Sequence, residues 1–271
     1  MSKLIVSVNS INQLNDVLMK DIYGVMLYVS KLSVNSSFYI NVDDIDKIDF
    51  NGKKIYLVMN KIMHNSDLVM VREVLNKIKN KNVHIMFYDM AVYNISRELN
   101  ILDKLVIFQD HLNASILSNK FYYDIGIKGS YITSDITLDE LLDIKSNCNM
   151  DIYFLGYGYS PIFYSRRYLV NNYLEYTNND KRGEYRIISD TGVGYPIVEE
   201  EYGTTIYTHD VINLINYMDK LSDIDYIILN SNMIDEDVFN SILDNFIDGK
   251  NMDDAYIGFL NTKTVFKVKN S

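Results

Sequence analysis

Tryptophan is absent from these 271 residues, cysteine appears once and proline twice. A single cysteine, Cys148, cannot form a disulfide within the chain, which points to a reducing compartment, the cytoplasm. Nor can one thiolate hold an iron–sulfur cluster, which takes three or four, so no cofactor of that kind is expected from this chain's own ligands. Positive charge is also scarce: 26 Lys and Arg stand against 36 Asp and Glu, for a formal net charge of −10. Phosphate neutralisation needs clustered Lys and Arg, so this balance excludes a protein that grips DNA, or any nucleic acid, unaided. No apolar run approaches the roughly 18 residues of a membrane span, and the start, MSKLIVSVNSINQ, has too short an apolar stretch for a signal peptide. A soluble chain with no membrane association is expected.

What is present is an alternation of short Val/Ile/Tyr-rich runs with longer segments of helical period, the βαβα signature of a parallel sheet. Strands are expected at 4–8, 25–29, 55–60, 83–88, 105–109, 129–132, 152–155 and 226–229. Between them, 66–79 places Leu68, Val71, Val74, Leu75 and Ile78 at spacings of three and four, a helix with one buried stripe that Ser66 can cap. The stretch 134–145 repeats that pattern. About 250 residues suffice for one (β/α) barrel, and a chain of this length buries about 70–75% of its unfolded surface. The expected fold is therefore α/β: a TIM-like (β/α) barrel, incomplete or elaborated, as one domain over 1–271. A flat doubly wound sheet is the alternative. Gly and Asn turns break the rhythm at 177–208, which reads as a β-hairpin excursion.

In such a barrel the strand C-terminal ends form the working face. Polar residues falling there include Asn60, His64, Asp89, Gln109, Asp110, His111, Ser134 and Asp135, although Asp89, Ser134 and Asp135 also suit helix caps. The densest constellation is DIYFLGYGYSPIFYSRRYLVNNYLEY at 151–176, with Pro161 and the Arg166–Arg167 pair among many aromatic rings. A guanidinium beside aromatic faces can pair with phosphate or carboxylate while Tyr159 and Tyr164 stack on a base, so Arg166, Arg167, Tyr159, Tyr164, Asn60 and Gln109 are the ligand-binding candidates. The bland alternative for the arginines is an ion pair with Glu199–Glu201. Weak catalytic candidates are Ser165, His64 and Asp89, a triad with no nucleophile-elbow context. Metal binding finds no HxxxH or HExxH spacing, and none is expected. His84 lies inside a strand, and His209 could begin a helix after the excursion.

Gly156, Pro161, Ser165, Arg166–Arg167, NNYLEY at 171–176 and an acidic turn closing on Gly203-Thr204-Thr205 occur in order. NKIMHN at 60–65, DMAVYNISRE at 89–98 and IGFLNTKTVFKVK at 257–269 flank them. Together they resemble the collagenase-like peptidases of family U32. The resemblance implies a barrel fold and one of two activities: proteolysis, or, as in short bacterial members, hydroxylation of the wobble uridine of tRNA beside a longer paralogue. That paralogue would be the partner, with tRNA reached through it. The departures matter too. Where the family usually has His-Gly-x-x-Cys, this chain has Leu155-Gly156-Tyr157-Gly158-Tyr159, and where it often has Arg-Glu, Ser134-Asp135 stands. A site without those groups has little with which to run hydrolysis or redox chemistry alone. The expectation is a small partner subunit that binds a nucleotide or carboxylate, with a peptidase or a non-catalytic scaffold as alternatives.

Overall fold

The computed structural model describes residues 2–180, 183–253 and 255–262. Its strands, in chain order, are β1 (Lys3–Ser7), β2 (Gly24–Val29), β3 (Tyr39–Ile40), β4 (Lys54–Met59), β5 (Val83–Phe87), β6 (Leu105–Ile107), β7 (Gly129–Tyr131), β8 (Asp151–Gly158), β9 (Pro161–Ser165), β10 (Tyr185–Ile188), β11 (Gly194–Glu200), β12 (Gly203–Tyr207), β13 (Ile212–Asn213) and β14 (Tyr226–Leu229). The α-helices are α1 (Ile11–Leu18), α2 (Leu68–Ile78), α3 (Met90–Glu98), α4 (Ile116–Asp124), α5 (Leu138–Asn147), α6 (Leu169–Thr177) and α7 (Glu236–Asp248).

Eight strands pair in parallel in the order β1-β2-β4-β5-β6-β7-β8-β14, and β14 returns to β1 through Lys3↔Tyr226 and Ile5↔Ile228. The sheet closes, which settles the choice between barrel and flat sheet. Near-continuous burial of these strands is what parallel strands covered by helices require. All eight fall where the hydrophobic runs predict them.

Tyrosines fill the lower barrel. Tyr153 stacks on Tyr226 with ring centroids 4.4 Å apart, and Tyr56 meets Tyr153 edge-on at 5.8 Å. Because β4 and β8 are not neighbours in the sheet, these rings meet across the barrel interior. Glycines on other strands make the room: a Cβ on Gly129 would sit 2.9 Å from Tyr153 Cε2, and one on Gly24 3.1 Å from Tyr56 Cε2. His84 stacks on Tyr56 at 4.9 Å and is a packing residue.

Two helix starts differ from expectation. Ser66 caps nothing; a 3₁₀ turn at Asn65–Asp67 precedes α2, and the Asp67 carboxylate accepts from the His64 amide at 2.8 Å. The helix expected from 134 begins at Leu138, because Thr137 and Glu140 form a reciprocal capping box there. Ser134 is instead buried, its hydroxyl donating to Ser160 Oγ at 2.7 Å.

The excursion is larger than a hairpin. Between β8 and β14 the chain builds an antiparallel four-stranded sheet in the order β10-β11-β12-β9, with α6 following β9. Residues 161–165 form its end strand opposite β10, since Phe163 and Tyr164 pair with Ile206 and Thr205. Lys181 and Arg182 of the expected excursion, and 263–269 of the carboxy-terminal motif, lie outside the described residues. No helix follows the sheet at His209; its ring packs between Tyr195 and Tyr256.

Candidate functional site

The four-stranded sheet sits over the C-terminal ends of the barrel strands. Tyr207, at the end of β12, is fully buried and accepts from Asn232 Nδ2 at 3.3 Å in the loop after β14. Around it, Tyr28, Asn60, Asp110, Tyr131, Tyr159, Pro161 and Asn230 enclose a void of only about 10 Å³. That is close to the minimum for one water molecule. Burial, with the Asp110 charge among the lesser causes, pushes the Tyr28, Tyr131 and Tyr207 hydroxyls well above their ordinary value, so all three stay neutral.

Polar tethers hold the sheet there. Glu200 accepts from the Tyr39 hydroxyl at 2.9 Å, and Thr205 donates to Asn35 at 2.7 Å. Desolvation raises the Glu200 carboxyl above its ordinary value despite the Tyr39 hydrogen bond. Arg166 forms the second anchor: its Nη1 donates to the Ile62 carbonyl at 2.9 Å and to Asp67 Oδ2 at 3.3 Å. Asp67 also pairs with Lys61 at 3.0 Å. Lys61, only 2% exposed, sits 4.4 Å from the centroid of the Tyr202 ring. Burial alone would raise the Asp67 carboxyl, but the His64 amide, Lys61 and Arg166 outweigh it and hold it below its ordinary value.

The two expected arginines thus have different positions. Arg166 is a structural clamp, and neither guanidinium pairs with Glu199–Glu201, which corrects the ion-pair alternative. Arg167 is exposed, and its described contacts are backbone ones, its carbonyl accepting from Thr204. Glu199 instead receives the Val170 and Asn171 amides at the start of α6, at 2.8 and 3.2 Å. The turn that brings these groups together needs Gly203, whose φ is +133° and where a Cβ would lie 2.0 Å from the Ser165 carbonyl oxygen.

The remaining candidates are largely occupied by internal contacts. Asn60 is buried and accepts from the Val34 amide at 2.9 Å. Gln109 donates to the Tyr88 carbonyl and accepts from the Tyr122 hydroxyl. The Tyr164 hydroxyl donates to the Tyr202 carbonyl at 3.0 Å. Tyr159 is half-buried, between the axial void and an open hollow on the sheet. Asp89 has one oxygen on the Met63 amide and the other on the Ala91 amide, the helix-cap alternative. His64 is exposed, and Ser165 Oγ accepts from the Arg167 amide. No described hydrogen bond joins Ser165, His64 and Asp89 into a relay.

The rim does carry one acid–base contact. His111 Nδ1 lies 3.0 Å from Asp110 Oδ1, beside the Tyr88 ring. Desolvation raises the nearby Asp135 carboxyl, with the His111 charge opposing. Among the described residues no cluster of three His, Cys, Asp or Glu is arranged to hold a metal, and no helix is long and apolar enough to cross a membrane.

Sequence reasoning missed Lys61, Asp67, Tyr202 and Tyr207. Lys61 was visible as a charge directly after an apolar strand, and Tyr207 as the end of the alternating run GTTIYT. Asp67 and its partner Arg166 lie 99 residues apart, a separation that no local pattern reports.

Comparisons with known proteins agree with this geometry. A curated relative, "tRNA hydroxylation protein P2" of Bacillus subtilis (strain 168), is 25% identical over 181 residues, covering 64% of this chain. The match spans 59% of that relative's length. The solved structure of the U32 peptidase Mk0906 superposes with a TM-score of 0.54 at 11% identity, over 85% of this chain and 92% of that one, and shares the barrel fold. The sequence model of peptidase family U32 matches residues 42–254, most of the barrel and the whole of the described appended sheet, and the chain belongs to that family.

Proposed function

We propose that this chain is a subunit of a tRNA wobble-uridine 5-hydroxylation system and works with a longer family paralogue rather than as a free-standing enzyme. The observation that carries the reading is the closed barrel mouth. A void of about 10 Å³ admits no substrate, whereas small-molecule sites usually offer several hundred Å³. The carboxylates nearest it serve backbone amides or buried pairs, so the rim holds few groups free for proton transfer. The relative named for tRNA hydroxylation supports the substrate class. The net charge of −10 supports shared RNA contact.

Within this reading Arg167 and Tyr168 are the groups free to meet a nucleotide or carboxylate, while Arg166 positions them by fastening β9 to the barrel. Arg167 offers a guanidinium for phosphate, and Tyr168 presents a half-exposed ring whose hydroxyl is anchored on the Glu201 carbonyl at 2.6 Å. Proteolysis gains no support from Ser165, whose hydroxyl has no histidine partner among the described contacts.

The test is mass spectrometry of tRNA from a deletion strain grown without oxygen, so that an oxygen-dependent route does not compensate. Loss of wobble hydroxylation, restored by the wild-type gene and only weakly by Arg167→Ala, is expected. Unchanged hydroxylation in the deletion strain removes the proposal.

A further inference from the structure

The appended sheet ends in an edge that nothing described covers. Strand β10 pairs only with β11 among the described strands. The hairpin closes through the Ser189 amide on the Val193 carbonyl at 2.9 Å. Antiparallel alternation from that closure turns the backbone groups of Arg186 and Ile188 away from β11. No proline or bulge protects this edge, and Ile187 and Ile188 are exposed on it, at 44% and 63%.

Two hollows flank the same ribbon. One, of about 650 Å³, is apolar, with Ile187, Ile197 and Ile206 of the sheet facing Leu169, Tyr173 and Leu174 of α6. The other, of about 690 Å³, carries Tyr159 and Tyr168 together with Glu184, Glu199, Glu200 and Glu201. They share Val170, Tyr185, Arg186 and Ile197, so they form one trough around β10 and β11. Successive residues of a strand point to opposite faces. A strand added at β10 would therefore send alternate side chains to an apolar wall and to an acidic, aromatic one.

We infer that β10 is a docking edge for an extended segment of a partner protein in which apolar residues alternate with Lys or Arg. The acidic lining selects the basic positions, since four glutamates, two of them (Glu199 and Glu200) held by internal hydrogen bonds, line it with one arginine among its described residues. A second copy of this chain would bring the same acids together and is disfavoured. Backbone pairing supplies affinity, and the two hollows supply specificity. The exposed Tyr173 and Tyr176 of α6 extend the apolar wall. This inference rests on the subunit reading and assigns that subunit its contact surface.

The experiment uses the full chain and the longer family paralogue as the probe, with the dissociation constant measured by calorimetry and amide exchange followed by mass spectrometry. Binding should slow exchange in β10, and Ile187→Lys and Arg186→Pro should each weaken it at least tenfold while circular dichroism stays unchanged. If the paralogue binds both variants within twofold of wild type and β10 exchanges equally fast in the complex, the inference fails and the subunit reading survives. If the variants keep the paralogue but lose tRNA retained by the complex, the trough is an RNA surface and the inference also fails. If wild type does not bind the paralogue and the deletion strain hydroxylates its tRNA normally, both fall together.

Discussion

At the scale of single residues, Arg166, Asp67, Glu199 and Glu200 near the barrel mouth act as fasteners. Arg166 looked like a ligand group because two adjacent arginines among rings suit phosphate, but its guanidinium joins β9 to the loop after β4 through Ile62 and Asp67. Arg166→Ala removes two charge-assisted contacts and leaves the half-buried Asp67 with Lys61 and the His64 amide. A loss of about 1.5–3 kcal/mol is expected in urea unfolding, with Arg166→Lys intermediate because an ammonium cannot match the fork of a guanidinium. Glu200 gives a pH test with a defined sign. Desolvation, partly offset by Tyr39, raises its folded-state pKa above the ordinary 4.5, so the folded protein favours the protonated form. The relative stability it contributes is fully present below the ordinary pKa and is lost as pH rises through the raised one. Glu200→Gln keeps an oxygen for the Tyr39 hydroxyl and cannot ionise. Its melting temperature should match or exceed wild type at pH 7, and the advantage should shrink as pH falls through the raised pKa toward the ordinary 4.5. An advantage that grows toward acid would mean that the carboxylate is the stabilising form.

At the scale of elements, the legible parts were those that repeat locally. Eight strands and the buried stripe of α2 follow from apolar period, because each is decided by which face meets the core. The appended sheet was half legible: its Gly and Asn turns announced β structure, yet 161–165 gave no sign of pairing with 204–207, a contact made across some forty residues. Helix α6 was not legible as a helix, since NNYLEY served only as a family motif, and its start rests on distant residues. Tyr168 at its N-cap makes no side-chain cap; the Thr204 hydroxyl accepts the Leu169 amide, and Glu199 accepts the next two. A helix of nine residues is marginal alone, so its start depends on the sheet that it covers. Glu199→Ala should speed amide exchange through Leu169–Thr177 by about tenfold, equivalent to about 1.4 kcal/mol, with β4 and β5 unaffected. Unchanged exchange would place the helix's support in its apolar contacts with the sheet.

At the scale of the whole molecule, two fillings account for a barrel with no open axis. The lower filling is the ring stack of Tyr56, Tyr153 and Tyr226, admitted by glycines on other strands. The upper one is Tyr207, carried in by a sheet that leaves the barrel after β8 and returns before β14. This arrangement ties the appended sheet to the barrel core, because removing the sheet would expose Tyr28, Phe108 and Tyr131 at the mouth. Wild type should therefore unfold in one transition, with the sheet and barrel reporting the same midpoint. Tyr207→Ala tests the coupling. Truncating a fully buried ring in a packed site costs about 3–5 kcal/mol, and here it also removes the acceptor for Asn232. Urea unfolding should show that loss. Exchange in β11 and β12 should rise before that in β4, since the sheet is then held by its peripheral tethers, Arg166, Glu200 and Thr205 among them. A loss below about 1 kcal/mol, with sheet and barrel still exchanging together, would show that those tethers and not the inserted ring hold the mouth shut.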